Sequence, residues 1–79
     1  MTSSVRFFAG AAEAAGVQDL EVEAATVAQL EHLLDATFGE KFAQVRRQCS
    51  VMVGGVVSEP TTAIPDGSVV DVLPPFAGG

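Results

Sequence analysis

Apolar and polar positions along this chain follow two different periods. Near the start, SVRFFAG (residues 4–10) sends Val5 and Phe7 to one side and Arg6 and Phe8 to the other, then stops at Gly10. This predicts a first strand. LEVEA (residues 20–24) alternates apolar with acidic residues, so Leu20, Val22 and Ala24 face a core while Glu21 and Glu23 face water. That is the pattern of a half-buried second strand. SVMVGGVVSE (residues 50–59) holds two Val-rich runs around Gly54-Gly55. Glycines tolerate the positive φ angles of a tight turn, so a hairpin is expected. IPDG (residues 64–67) is turn chemistry: Pro65 presets φ, and Gly67 takes conformations other residues avoid. SVVDVL (residues 68–73) is the last strand, with Val70 and Val72 inward and Val69, Asp71 and Leu73 outward. Pro74-Pro75 ends it, because neither proline donates to a ladder.

Between these strands the period changes to that of a helix. Thr26 is an N-cap, with Gln29 three residues later to complete a capping box. Val27, Leu30, Leu34 and Phe38 form one stripe, and Gly39 stops the helix. AAEAAG (residues 11–16) predicts one short helical turn closed by Gly16. EKFAQVRR (residues 40–47) predicts a further turn or two, with Phe42 and Val45 inward. The order is strand, strand, helix, strand pair, strand. This is an α+β layer, one sheet packed on one main helix.

At 79 residues the chain has room for a single domain, 1–79. Hydrophobic residues make up 48%, enough for a core; five Phe must supply its aromatic bulk, as there is no Trp or Tyr. One cysteine, Cys49, excludes an internal disulfide framework and suits a reducing, cytoplasmic setting. No signal peptide or bilayer-length apolar run is expected. Four Lys+Arg against ten Asp+Glu give a formal charge of −6. That argues against nucleic acid, which requires a basic footprint, and permits a partner with a basic docking face.

The usual catalytic constellations do not assemble. Glu31 and Asp35, four apart, are expected on the outer side of the main helix as a solvated, mutually repelling pair. His32 sits opposite the Leu30/Leu34 stripe, is expected to be exposed, and has no companion ligands. Cys49 follows Arg46 and Arg47, which lower its pKa if close, but a thiol nucleophile also needs a base and an orienting group. An inert, partly buried cysteine is the expectation. Gly54-Gly55 lacks the Lys-Ser/Thr of a phosphate loop and does not open a helix. The residues thus describe a binding or carrier module, not a self-sufficient enzyme, with no tightly bound cofactor and no metal.

The end of the chain, LPPFAGG, carries the remaining chemistry. Pro74-Pro75 is stiff and directs the last four residues away from the sheet. Residues 74–79 reach about 20 Å at roughly 3.3 Å each. Ala77, Gly78 and Gly79 are slim enough for a channel that excludes side chains, and the tip offers one reactive group, the carboxylate of Gly79. Activation by an external enzyme would make that carboxylate an acyl donor.

VRFFAGAAEAAG, TVAQLEHLL and IPDGSVVDVLPPFAGG together resemble the molybdopterin synthase small-subunit (MoaD-like) branch of the ubiquitin-like sulfur-carrier family. The resemblance spans the whole chain, and its most specific piece is the Asp-Gly turn, Val-rich strand and Pro-Pro-x-x-Gly-Gly ending. It implies a ubiquitin-like β-grasp fold with a mixed sheet, and an extended tail over residues 74–79. It implies that Gly79 is adenylated by a ubiquitin-activating-enzyme-like adenylyltransferase using ATP. A sulfurtransferase then makes it a thiocarboxylate. Pro74, Pro75, Phe76, Ala77 and Gly78 would enter the partners' sites, the synthase large subunit among them, with Val69 and Leu73 as apolar contacts. The acceptor implied is cyclic pyranopterin monophosphate. Carriers for thiazole, cysteine or tRNA thiolation, and lysine-attached modifiers, are the alternatives. Two positions depart from the family pattern: Phe76 replaces a small aliphatic, and Gly54-Gly55 stands where Asn-Gly is frequent.

Overall fold

The computed structural model describes residues 2–75. Its elements are β1 (Ser3–Phe7), α1 (Gly10–Ala15), β2 (Asp19–Val22), α2 (Val27–Phe38), α3 (Glu40–Arg46), β3 (Ser50–Val53), β4 (Val56–Val57) and β5 (Val69–Leu73). The strands form one sheet in the order β2-β1-β5-β3-β4. β1 and β5 run parallel at its centre, and the other neighbours are antiparallel. The expected α+β mixed sheet on one main helix is therefore present. The hairpin turns on Gly54 and Gly55, with φ of 58° and 84°. Two consecutive positive φ values are what a two-residue hairpin turn requires.

The inward residues of the sheet meet one stripe of α2. Val5, Phe7, Val51, Val70 and Val72 pack with Val27, Leu30 and Leu34, and Phe42 of α3 closes one end. Phe7, Phe38 and Phe42 come from three different elements. Phe7 meets the other two edge-on at 5.7 and 5.8 Å, and Phe38 and Phe42 tilt together at 5.1 Å. In a chain with no Trp or Tyr, this trio supplies the aromatic bulk of the core.

The start of α2 is capped more thoroughly than its sequence suggests. Thr26 Oγ1 accepts from the Gln29 N–H at 3.2 Å, as expected. Gln29 Oε1 accepts from the N–H of Ala25 at 2.9 Å, one residue earlier than a standard capping box. The N–H groups of Val27 and Ala28 donate to the carbonyls of Thr62 and Pro60 at 3.0 and 2.8 Å. The segment after β4 thus folds over the helix end and takes up its free amides. The same strap buries Ile64, whose N–H donates to the Ala25 carbonyl at 2.9 Å. Ile64 reads as part of a turn in sequence, and its place in the core comes from that strap.

One expectation is corrected here. Glu31 and Asp35 are not a free, repelling pair. Gly39, at φ 93°, ends α2 and begins α3, and the turn there swings α3 back alongside α2. Arg46 then reaches Asp35 with two hydrogen bonds, 2.7 Å from Nε to Oδ1 and 2.8 Å from Nη2 to Oδ2. Its Nη1 lies 3.4 Å from Glu31. Two carboxylates that repel within one helix are thus held by one cation from the next.

Candidate functional site

The tail is launched from the middle of the sheet. β5 is the central strand, and Leu73, its last residue, pairs with Ser50, the first residue of β3. On its other side β1 ends at Phe7, which pairs with Val72; the Phe8 N–H donates to the Val72 carbonyl at 3.2 Å, and the chain turns into α1. Both neighbours of β5 therefore stop where Pro74 begins. A proline there forfeits no ladder bond, and neither neighbouring strand continues beside it. Pro74 is half-buried and Pro75 exposed. Phe76, Ala77, Gly78 and Gly79 lie outside the described residues.

The turn out of β1 is itself unusual. Ala9 has φ 49° and ψ −123°, and the Ala11 N–H closes on the Phe8 carbonyl at 3.0 Å. A positive φ at a residue with a Cβ is strained. This sharp reversal removes β1 from beside the end of β5.

The residues of β5 divide between a core face and an outer face. Val70 and Val72 are fully buried against α2, whereas Val69 is 41% exposed and Leu73 half-buried. The alternation expected along β5 is thus present. Across this outer face the pairing aligns Asp19, Arg6, Asp71, Met52 and Val57 in one row, one residue from each strand. Arg6 holds Asp71 with a two-point contact, Nε to Oδ1 at 2.7 Å and Nη2 to Oδ2 at 3.0 Å. The Arg6 guanidinium also lies 5.6 Å from the Phe8 ring centroid. Hydrogen bonding to Asp71, then its charge, raises the Arg6 pKa above the ordinary arginine value, so this side chain stays cationic. The outer face therefore combines apolar contacts (Phe8, Val69, Met52, Leu73) with a neutralised ion pair and the acids Asp19 and Glu21 of β2.

Comparison with known proteins now gives the family. The ThiS family profile matches residues 5–79, nearly the entire chain. The chain belongs to the ThiS family. A Pyrococcus furiosus protein assigned as molybdopterin converting factor subunit 1 is 26% identical, with 96% of this chain and 99% of that one covered and a TM-score of 0.85. SAMP1 of Haloferax volcanii, at 23% identity with both chains fully covered, gives 0.80. A complex of subunits 1 and 2 of the Helicobacter pylori molybdopterin-converting factor gives 0.76 at 24% identity, again with both chains fully covered. The comparison with curated proteins found no match. The fold is the ubiquitin-like β-grasp, and the family is one of ubiquitin-like sulfur carriers.

Within this ThiS family chain, the remaining candidates for chemistry have structural roles or none. His32 is exposed on α2, as expected. Cys49 is half-buried and its thiol donates to the Val45 carbonyl at 3.2 Å. Burial pushes the thiol pKa up, and nearby Arg46 only partly offsets this. The cation is close, as the sequence allows, yet desolvation wins, so Cys49 is a poor nucleophile near neutrality. Among the described residues, no buried side-chain nitrogen or oxygen lacks a hydrogen-bond partner. None of the described helices is long and apolar enough to cross a membrane. Alternation along the two strands places Arg6 and Asp71 outward but not against each other. Their pairing depends on the parallel β1/β5 register, which links positions 65 residues apart and leaves no periodic signal.

Proposed function

We propose that this chain is a sulfur carrier acting as the small subunit of molybdopterin synthase. The Gly79 carboxylate attacks the α-phosphorus of ATP in a ubiquitin-activating-enzyme-like partner, releasing pyrophosphate. A sulfurtransferase persulfide then displaces AMP to form an acyl disulfide, and a thiol reduces that disulfide to leave the thiocarboxylate. The tail from Pro74 to Gly79 enters the large subunit, where the sulfur passes to cyclic pyranopterin monophosphate. Val69 and Leu73 provide apolar contact beside the entry point.

One observation carries this reading. Pro74-Pro75 starts where both neighbours of the central strand stop, beside an open face with both apolar and acidic residues. A terminal Gly-Gly on such a base is a delivery arm for one carboxylate. Support for the molybdopterin acceptor comes from the Pro-Pro-x-x-Gly-Gly ending and from the similarity to the P. furiosus protein. The fold also hosts modifiers and other carriers, so fold alone does not choose among them.

The test is intact-mass measurement after incubation with the activating enzyme, ATP and a sulfur source. Replacement of one terminal oxygen by sulfur is expected, followed by molybdopterin formation when the large subunit and the pyranopterin are added. An unchanged mass, under conditions that convert an established carrier, overturns the carrier reading. Attachment of Gly79 to lysines in an isopeptide bond would assign the chain to the modifiers instead.

A further inference from the structure

The outer face has one feature that apolar docking does not explain. A half-buried acid, Asp71, whose side chain is 15% exposed, sits in the central strand among Phe8, Val69, Met52 and Leu73. It is two residues before Leu73, so its Cα lies only about 10 Å along the strand from Pro74, at roughly 3.3 Å per residue. A partner that docks on this outer face beside the tail base covers this carboxylate. Removing an unpaired carboxylate from water opposes docking strongly.

Arg6 answers that problem from the adjacent strand. It meets both oxygens of Asp71, at 2.7 and 3.0 Å, in the planar two-point geometry that suits guanidinium and carboxylate. The register sets Arg6 directly beside Asp71, and the Phe8 ring flanks the guanidinium at 5.6 Å. The pair is thus assembled before any partner arrives. Its Arg6 side is still 54% exposed, so a partner can dry it without rearranging it.

We infer that Arg6 and Asp71 form a preassembled neutral unit in the docking face, and that Arg6 is a positioning residue for tail delivery. It lets a partner cover the sheet beside Pro74 without burying a lone negative charge. The inference rests on the proposed carrier function, since it assumes a partner that grips the tail base. The surroundings define the partner's chemistry. It offers an apolar patch to Phe8, Val69 and Leu73, with basic side chains at the edge facing Asp19 and Glu21 on β2. Asp19 is paired with Arg6 in register, so the acidic rim begins next to the neutral pair.

The experiment measures adenylation of the full chain by its activating enzyme, as the dependence of rate on carrier concentration. Arg6→Gln leaves Asp71 uncompensated, and KM is expected to rise about 30-fold or more with kcat little changed. Arg6→Gln combined with Asp71→Asn replaces the ion pair by a neutral amide pair, and KM is expected to return to within a few-fold of wild type. Recovery in the double variant is what an arginine contacting the partner directly would not give, and a KM rise in Arg6→Gln without a matching loss of thermal stability is what a merely structural arginine would not give. An unchanged KM in Arg6→Gln overturns the inference. So does a double variant as weak as the single one, which would make Arg6 a direct contact to the partner. Thermal unfolding is followed for each protein, and the double variant keeps the test decisive if Arg6→Gln alone lowers stability. A wild-type chain that is not adenylated at all overturns the carrier function together with this inference. Wild-type turnover alongside unaffected variants overturns the inference alone.

Discussion

The five residues of β5 divide between two faces of opposite character. Val70 and Val72 point under the sheet, are fully buried, and are covered by Leu30, Leu34 and Phe42. Val69, Asp71 and Leu73 point out, where none of the described helices covers them. The inner face is apolar throughout and obtains its stability from packing within the chain. The outer face mixes apolar groups with a charge that already has its counterion. Val69, exposed, and Leu73, half-buried, lie on the side that the proposed carrier function assigns to a partner.

The most forceful way to test this contrast is to truncate one phenylalanine on each side. Phe42→Ala removes a fully buried ring that contacts Phe7 and Phe38, and is expected to cost about 3–5 kcal/mol. Single domains have only about 5–15 kcal/mol in total, so urea unfolding will show a marginal fold. Phe8→Ala on the outer face is expected to cost about 1 kcal/mol or less. Equal losses would mean that the outer face is as structural as the inner one.

A smaller effect separates the two arginines that close α3. Arg46→Ala breaks the clamp on Asp35 and Glu31 and is expected to cost about 1–2 kcal/mol in the same unfolding experiment. Arg47→Ala removes an exposed contact to Glu40 at 3.2 Å and should stay within about 0.5 kcal/mol. Similar losses would show that the clamp is no better than a surface pair.

Cys49 tests the inner side through pH. Its folded-state pKa is raised by burial, so above the ordinary thiol range the unfolded chain binds fewer protons than the native one. The stabilising contribution is full below the unfolded thiol pKa and is lost as pH rises through the folded value. Stability is therefore expected to decline from about pH 8.5 upward. Cys49→Ala should flatten that decline, as read by urea midpoints across the range. A wild type whose alkaline decline equals the variant's would put the cause elsewhere.

Much of the fold is legible in sequence because its signals are local. The alternation at Val69–Leu73, the stripe Val27/Leu30/Leu34, the cap at Thr26 and the Gly54-Gly55 turn all act over a few residues. The features that escape such reading require the chain to return on itself. The Arg46 clamp needs the angle set at Gly39, and Ile64 needs the strap over α2. The Arg6–Asp71 pair needs a parallel register between the first and last strands. Local patterning assigns the face on which a residue lies, but not its neighbour on that face. The chemistry proposed for the tail is read from the order of its residues alone, two prolines at 74 and 75 and two glycines at 78 and 79.

The finest test of the contrast changes one methyl group. Val69→Thr keeps the branched shape that suits a strand and replaces a methyl by a hydroxyl on a side chain 41% exposed. In the free protein that hydroxyl remains in water, so stability should stay within about 0.5 kcal/mol. Under a partner it must be dried, and an apolar patch offers it no acceptor. An unsatisfied hydroxyl at an interface costs on the order of 1 kcal/mol, which weakens docking about three- to tenfold. The measurement is the KM for adenylation, compared with unfolding of the same sample. The same substitution at Val70, which is fully buried, should reverse the balance and lower stability while leaving docking by the folded fraction unchanged. Unaltered KM at position 69 would mean that this part of the outer face is not where the activating partner binds.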